Sequence, residues 1–202
     1  MKKLIGLLTV LTSLILPVTA ADIKPEDQAP DFTLTASTGE KITLADLRGK
    51  PVILEWTNHK CPYVRKHYKS GNMQKLQKKL TEDGAVWLSV ISSAPGKQGH
   101  VSAEKSRELT AKRGVYASYV LHDEDGKIGR LYKSSTTPQM VLIDEKGIIK
   151  YMGAIDDQPS VSMKSLKGAE NYLLRAWSEF KSGQEISKPQ TQPYGCSIKY
   201  AG

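Results

Sequence analysis

The chain has 202 residues, 39% of them hydrophobic and 25% charged, which suits one globular core with an appendage. Its net charge of +8 raises the question of a nucleic-acid partner, and the distribution of that charge excludes one. Lysines alternate with acids, as in Asp123-Glu124-Asp125-Gly126-Lys127 and Asp144-Glu145-Lys146, and no basic run is interleaved with stacking aromatics.

Residues 1–20, "MKKLIGLLTVLTSLILPVTA", join Lys2 and Lys3 to an apolar run and a small-residue end at Val18-Thr19-Ala20. This is the pattern of a secretory signal peptide cleaved near Ala20. The apolar run is broken by Thr9, Thr12, Ser13 and Pro17 and is short for a membrane span, so no stable insertion is expected after cleavage. A bacterial periplasmic or secreted product follows. The leader holds two lysines and no acid, so the mature chain carries +6.

After an extended entry, "DFTLTASTGEKITL" alternates twice around Thr38-Gly39 and predicts a β-hairpin. "ADLRGK" is a short helical turn stopped by Gly49, and "PVILEW" (51–56) is an apolar run expected of a central strand. A helix follows from Cys61, with Val64, Tyr68, Leu76 and Leu80 on one face and an interruption at Ser70-Gly71-Asn72. "GAVWLSVISS" is the next central strand. Ser102 to Gly114 is a helix with a recognisable cap and stop, and "YVLHD" is a further strand. "PQMVLIDEKGIIKYMGAI" is a hairpin around Glu145-Lys146-Gly147, and Ala169, Leu173, Trp177 and Phe180 mark a closing helix that ends at Gly183. Strands alternating with helices in this order predict an α/β fold with a central mixed sheet flanked by helices. Residues 21–182 form that domain, and 183–202 form an irregular tail lying over it, mobile enough to bring Cys196 to a partner.

The chain has two cysteines, Cys61 and Cys196. Cys61 sits between a strand and a helix in "EWTNHKCPYVRKHY", directly before Pro62, with Arg65 one turn on. A helix N-terminus and nearby cations favour thiolate over thiol, so Cys61 is the candidate nucleophile. Cys196 is the candidate resolving thiol. A permanent Cys61–Cys196 bridge is the competing reading, and closing so long a loop could stabilise the fold by up to about 5 kcal/mol in the chain-entropy model. Asn58, Thr57 and Arg65 could polarise a peroxide or stabilise the thiolate; strand-end hydrogen bonding and a solvated helix face serve equally well for them. Trp56 and Tyr63 are placed to pack beside the site. Glu55 is either a half-buried proton relay or a strand-edge residue with its head in water. His59 and His67 match no zinc spacing and read as surface or supporting groups, so no metal is expected.

The segments "APDFTLTASTGEKITLADLRGKPVIL", "EWTNHKCPYVRKHY", "LSVISSAPGKQG", "HDEDGKIGRLYKSSTTPQMVLIDEKGIIKYMGAIDD" and "YGCSIKY" together resemble the redoxins of the alkyl hydroperoxide reductase and thiol-specific antioxidant branch. The nearest likeness is the peroxiredoxin-like group that joins a CPYV helix to a GCSIK tail. The resemblance implies a thioredoxin-like fold and an oxidoreductase that acts on a peroxide or a disulfide and is recycled by an external thiol reductant. No cofactor is implied, because sulfur carries the electrons. Thr137-Pro138 resembles the thioredoxin cis-proline loop, which implies a substrate-binding role for both residues together with Pro62 and Trp56. Two departures stand out. Thr57-Asn58-His59-Lys60-Cys61 lacks the first cysteine of a Cys-x-x-Cys motif, and Asn58 and Thr137-Pro138 stand where a peroxiredoxin carries a threonine and an arginine. Three readings therefore stay open: a thiol peroxidase, a protein thiol–disulfide exchanger, and a non-catalytic domain with a static bridge.

Overall fold

The computed structural model describes residues 22–202, so the leader expected over 1–20 lies outside the described residues. Nine strands and five helices run in the order β1 (Thr33–Ala36), β2 (Lys41–Thr43), β3 (Val52–Trp56), α1 (Pro62–Lys69), α2 (Asn72–Glu82), β4 (Val86–Ile91), α3 (Ala103–Arg113), β5 (Tyr119–His122), α4 (Lys127–Leu131), β6 (Thr136–Thr137), β7 (Gln139–Ile143), β8 (Ile149–Gly153), α5 (Tyr172–Lys181) and β9 (Cys196–Ser197). Seven strands form one mixed sheet in the order β2-β1-β5-β4-β3-β7-β8. The β3, β4 and β5 pairings are parallel, and β3–β7 and β7–β8 are antiparallel. This is the thioredoxin-like arrangement. Among the described residues no helix is long and apolar enough to cross a membrane.

The central strands are buried on both faces, which is why they read as unbroken apolar runs. Their side chains still alternate. Val52, Leu54 and Trp56 join Leu88, Val90, Val141 and Ile143 on one face, with Phe32 and Tyr132 beside them. Ile53, Trp87, Met140 and Leu142 join the opposite core, covered by Val64, Tyr68, Leu76 and Leu80 from α1 and α2 and by Leu173 and Trp177 from α5. The interruption at Ser70-Gly71-Asn72 is real: Gly71 takes φ +74° between α1 and α2. α3 starts on Ser102, whose side chain accepts from Lys105 N–H, and stops at a left-handed Gly114.

Several expectations need correction. Glu55 is no strand-edge residue; it is completely buried at mid-strand on the face under α1 and α2. Its carboxylate accepts from Trp87 Nε1 (2.9 Å), Ser89 Oγ (2.9 Å), Gln77 Nε2 (3.1 Å) and Tyr68 Oη (2.9 Å). Burial raises its pKa, and these donors hold it back. His67 is also fully buried rather than at the surface, because it lies on the inner side of α1. α5 begins at Tyr172 on an Asn171 cap, which leaves Ala169 ahead of the helix.

The tail is tied down over its length. Met152 N donates to Pro189 O (3.0 Å) and Thr191 N to Met152 O (3.1 Å). Ile186 and Ile198 are buried in the two cores. Tyr200 lies against Gly126 and Gly129 of the α4 turn, where a Cβ on either glycine would collide with its ring. Its hydroxyl donates to Ser134 O at 2.7 Å.

Candidate active site

Three segments meet at the C-terminal end of β3. The first is the loop Thr57–Lys60 leading into α1. Cys61 N donates to Asn58 O (3.0 Å), and Asn58 Oδ1 accepts from Lys60 N (2.9 Å), which closes a tight turn. Cys61 is then the N-cap, with extended backbone, and Pro62 takes the first helical position, where its missing N–H costs nothing. Arg65 N donates to Cys61 O at 2.9 Å, so the thiol sits at the positive end of the helix dipole.

The second segment is Thr136–Pro138, with Thr137-Pro138 in the cis form. Thr137 and Pro138 are both buried, and the Cys61 thiol donates to Thr137 O at 3.2 Å. The third is the tail. β9 pairs antiparallel with β6, placing Cys196 opposite Thr137 and Ser197 opposite Thr136. Gly195, at φ +143°, permits this approach because a Cβ there would run into Thr137 O. As a result Cys196 Sγ lies 2.8 Å from Cys61 Sγ within one chain. A disulfide spans about 2.05 Å between sulfurs, so little movement separates the two thiols from a bond.

The two thiols are unequal. Cys61 is completely buried, which by itself pushes its pKa up; hydrogen bonds from the Cys196 thiol and the Val64 amide, with contacts to Thr137, more than offset this and bring it below the ordinary cysteine value. Cys196 is partly exposed and is pushed up to about 12 by desolvation and by the neighbouring Cys61. Cys61 is therefore the more acidic of the two thiols and Cys196 the one that keeps its proton longer. That is the polarity needed for Cys61 to attack and Cys196 to follow.

The other predicted residues surround this pair unevenly. The Asn58 amide turns to Gln98 O (3.3 Å), with Gly99 packed closely against it. Thr57 is half-buried, and its amide extends the sheet to Val90 O. Arg65 and Pro62 are exposed. Trp56 faces the opposite core, with Nε1 on Ser92 Oγ at 3.2 Å. Tyr63 packs edge-on to Tyr194. Among the described residues, no three His, Cys, Asp or Glu side chains converge to hold a metal ion.

Sequence reasoning passed over a polar cluster beside the thiols. Lys66, inside the basic run of α1, is only 2% exposed and points at Asp156, Gln158 and Tyr194. The acidic pair Asp156-Asp157 after an apolar strand, and Tyr194 two residues before Cys196, were its available signals.

A thioredoxin-like sheet presenting a depressed cysteine and a second thiol from the tail defines a thiol oxidoreductase. The AhpC/TSA family model matches residues 25–152, and the chain belongs to that family. The match ends before Asp156, Tyr194 and Cys196, so the tail side of the site lies beyond it. The thioredoxin-like protein YneN of Bacillus subtilis (strain 168) is 33% identical over 129 residues, covering 63% of this chain and 70% of YneN. A hypothetical protein from Sinorhizobium meliloti 1021 superposes with a TM-score of 0.75 at 20% identity, covering 89% of this chain and 96% of its own. A putative thiol:disulfide interchange protein DsbE from Chlorobium tepidum superposes at 0.51 with 27% identity, covering 64% and 84%.

Proposed function

We propose that the protein is an exported thiol peroxidase in which Cys61 and Cys196 of one chain form a single redox couple. The observation that carries this reading is the 2.8 Å separation of their sulfurs, with Cys61 wholly buried beneath the tail. A buried nucleophile favours a small oxidant over a polypeptide. Cys61 thiolate attacks the distal oxygen of a hydroperoxide, which breaks the O–O bond, leaves a sulfenic acid and releases the alcohol or water. The Cys196 thiol then attacks that sulfur; the disulfide forms and water leaves. Two electrons and two protons from an external dithiol restore both thiols.

Export is supported by the leader pattern of residues 1–20, and cell fractionation with and without those residues tests it. The domain at 21–182 and the tail at 183–202 then act together in the mature form.

A second reading, protein thiol–disulfide exchange, is favoured by one observation. Asn58 turns its amide to Gln98 and Arg65 lies exposed, so neither supplies a peroxide cradle at Cys61. Peroxide consumption with dithiothreitol as reductant separates the readings. Peroxidase action predicts turnover by the wild type and none by Cys61→Ser. Trapping of a client protein on Cys61 in Cys196→Ser, without peroxide turnover, would favour exchange. A static bridge predicts neither, and resistance to mild reductant.

A further inference from the structure

We propose that Tyr194, gripped by Lys66 and Asp156, is the positioning residue that holds Cys196 over Cys61. The inference rests on the Cys61–Cys196 couple proposed above and names what keeps that couple assembled.

Cys196 lies between two anchors. On its C-terminal side the backbone is held by the β6–β9 pairing, by Ile198 N on Ser135 O (3.0 Å) and by Ala94 N on Lys199 O (2.8 Å). On its N-terminal side, beyond the Gly195 backbone packed on Thr137, the nearest side-chain anchor is Tyr194. Its hydroxyl donates to Asp156 Oδ1, and Lys66 Nζ donates to that hydroxyl at 3.3 Å and to Gln158 O at 2.8 Å. The Lys66 ammonium also lies 5.3 Å from the Tyr194 ring centroid and 3.9 Å from Asp156 Oδ2. The ring edge meets Tyr63 at 5.7 Å between centroids. His67 completes the wall: Nδ1 accepts from Asn72, so Nε2 carries its proton and faces the Tyr194 hydroxyl at 3.5 Å.

Tyr63, Lys66 and His67 all belong to the helix that begins at Cys61, whereas Tyr194 belongs to the segment that carries Cys196. The cluster therefore couples the element bearing the nucleophile to the one bearing its partner. Fully buried ion pairs are poor general stabilisers, because desolvation offsets most of the attraction. What this cluster supplies is register. A tyrosine clamped two residues from a thiol limits how far that thiol can move, and small misplacements of a reacting group cost large factors in effective concentration.

The test compares the full reduced chain with Tyr194→Ala and Tyr194→Phe. First, each is equilibrated in glutathione redox buffer to obtain the effective concentration of the Cys61–Cys196 pair. Tyr194→Ala is expected to lower it by about tenfold or more, equivalent to a rise of about 30 mV in reduction potential. Tyr194→Phe keeps the ring against Tyr63 and loses the Asp156 bond, and is expected to fall in the same direction by less. Second, stopped-flow oxidation with hydrogen peroxide is followed by mass. Cys61 oxidation should stay within about twofold of wild type while disulfide closure slows and sulfinic acid accumulates. A purely structural role predicts parallel loss of both steps, and that result overturns the proposal. So does a wild-type effective concentration in both variants, or in Tyr194→Phe alone if the alanine variant does not fold. Failure of wild type to react with peroxide would remove the peroxidase reading only; the glutathione equilibrium would still decide the role of Tyr194.

Discussion

Gly195 stands so close to the carbonyl of Thr137 that its backbone, at φ +143°, leaves no room for a side chain. The contact seats the next residue, Cys196, opposite Thr137 in the β6–β9 pairing and over the Cys61 thiol. Gly195→Ala must push the tail outward by both clash and backbone strain. We expect disulfide closure to slow by about tenfold or more, with Cys61 oxidation preserved. Rapid-quench mass analysis of the two steps checks this, and unchanged closure would show that the tail tolerates the shift.

The thiols should titrate apart. Cys61 lies below the ordinary cysteine value and Cys196 is pushed up to about 12, so thiolate absorbance should rise in two separated steps. Reactivity of Cys61 toward a small alkylating agent should climb through the lower step and then level off. Once Cys61 loses its proton the Cys196 thiol, 2.8 Å away, can donate to it, so Cys196→Ala removes a stabiliser of the charged form and should move the Cys61 midpoint upward. A midpoint that stays or falls would contradict the assigned hydrogen bond.

Glu55 offers a pH test of the core. Its folded pKa is raised, so the folded state holds this proton more tightly than the unfolded chain does. Stability contributed at this site is therefore full below the unfolded carboxylate value and is lost as pH rises through the folded one. Glu55→Gln should abolish that pH slope while its carbonyl keeps the bonds from Trp87 and Ser89. Glu55→Leu should leave the Trp87, Ser89 and Tyr68 donors unpaired, at about 1–3 kcal/mol each, while Gln77 keeps its bond to Tyr68. Urea unfolding across pH measures both.

Lys66 and Arg65 are neighbours with opposite fates. Lys66 is buried against Asp156 and Arg65 is exposed, so Lys66→Met should cost about 1–3 kcal/mol by removing the donor to Gln158 O and Tyr194, while Asp156 keeps Tyr194 and Gln158 N as donors. Arg65→Met should stay within about 0.5 kcal/mol. Denaturant midpoints for the pair test the assignment directly.

These residues also show where sequence reading succeeds and stops. Period and capping placed the strands around Leu54 and Val90 and the helix from Ser102 to Gly114, because those signals are local. The placing of Cys61 at a helix start was legible for the same reason: strand, turn and Pro62 are contiguous in the chain. Lys66 was not, since one basic residue in a run of several is buried only because Asp156 and Tyr194 arrive from distant segments. The tail read as irregular because its partners are equally remote. Tyr200 docks on Gly126 and Gly129, and the α4 turn they belong to is too short and glycine-rich to show a helical period. Glu55 was misplaced because a carboxylate in an apolar run suggests an edge unless its four donors are known.

The central claim is that Cys61 and Cys196 of one chain act as a single couple, and intact mass spectrometry tests it most directly. The fully reduced wild type, Cys61→Ser and Cys196→Ser are each treated with a stoichiometric amount of hydrogen peroxide and sampled over time under non-reducing conditions. The account predicts that wild-type monomer loses the mass of two hydrogens, that Cys196→Ser gains oxygen on Cys61, and that Cys61→Ser stays unmodified over the same interval. A disulfide-linked dimer as the main product, or Cys61 reacting no faster than a free thiol, would contradict it.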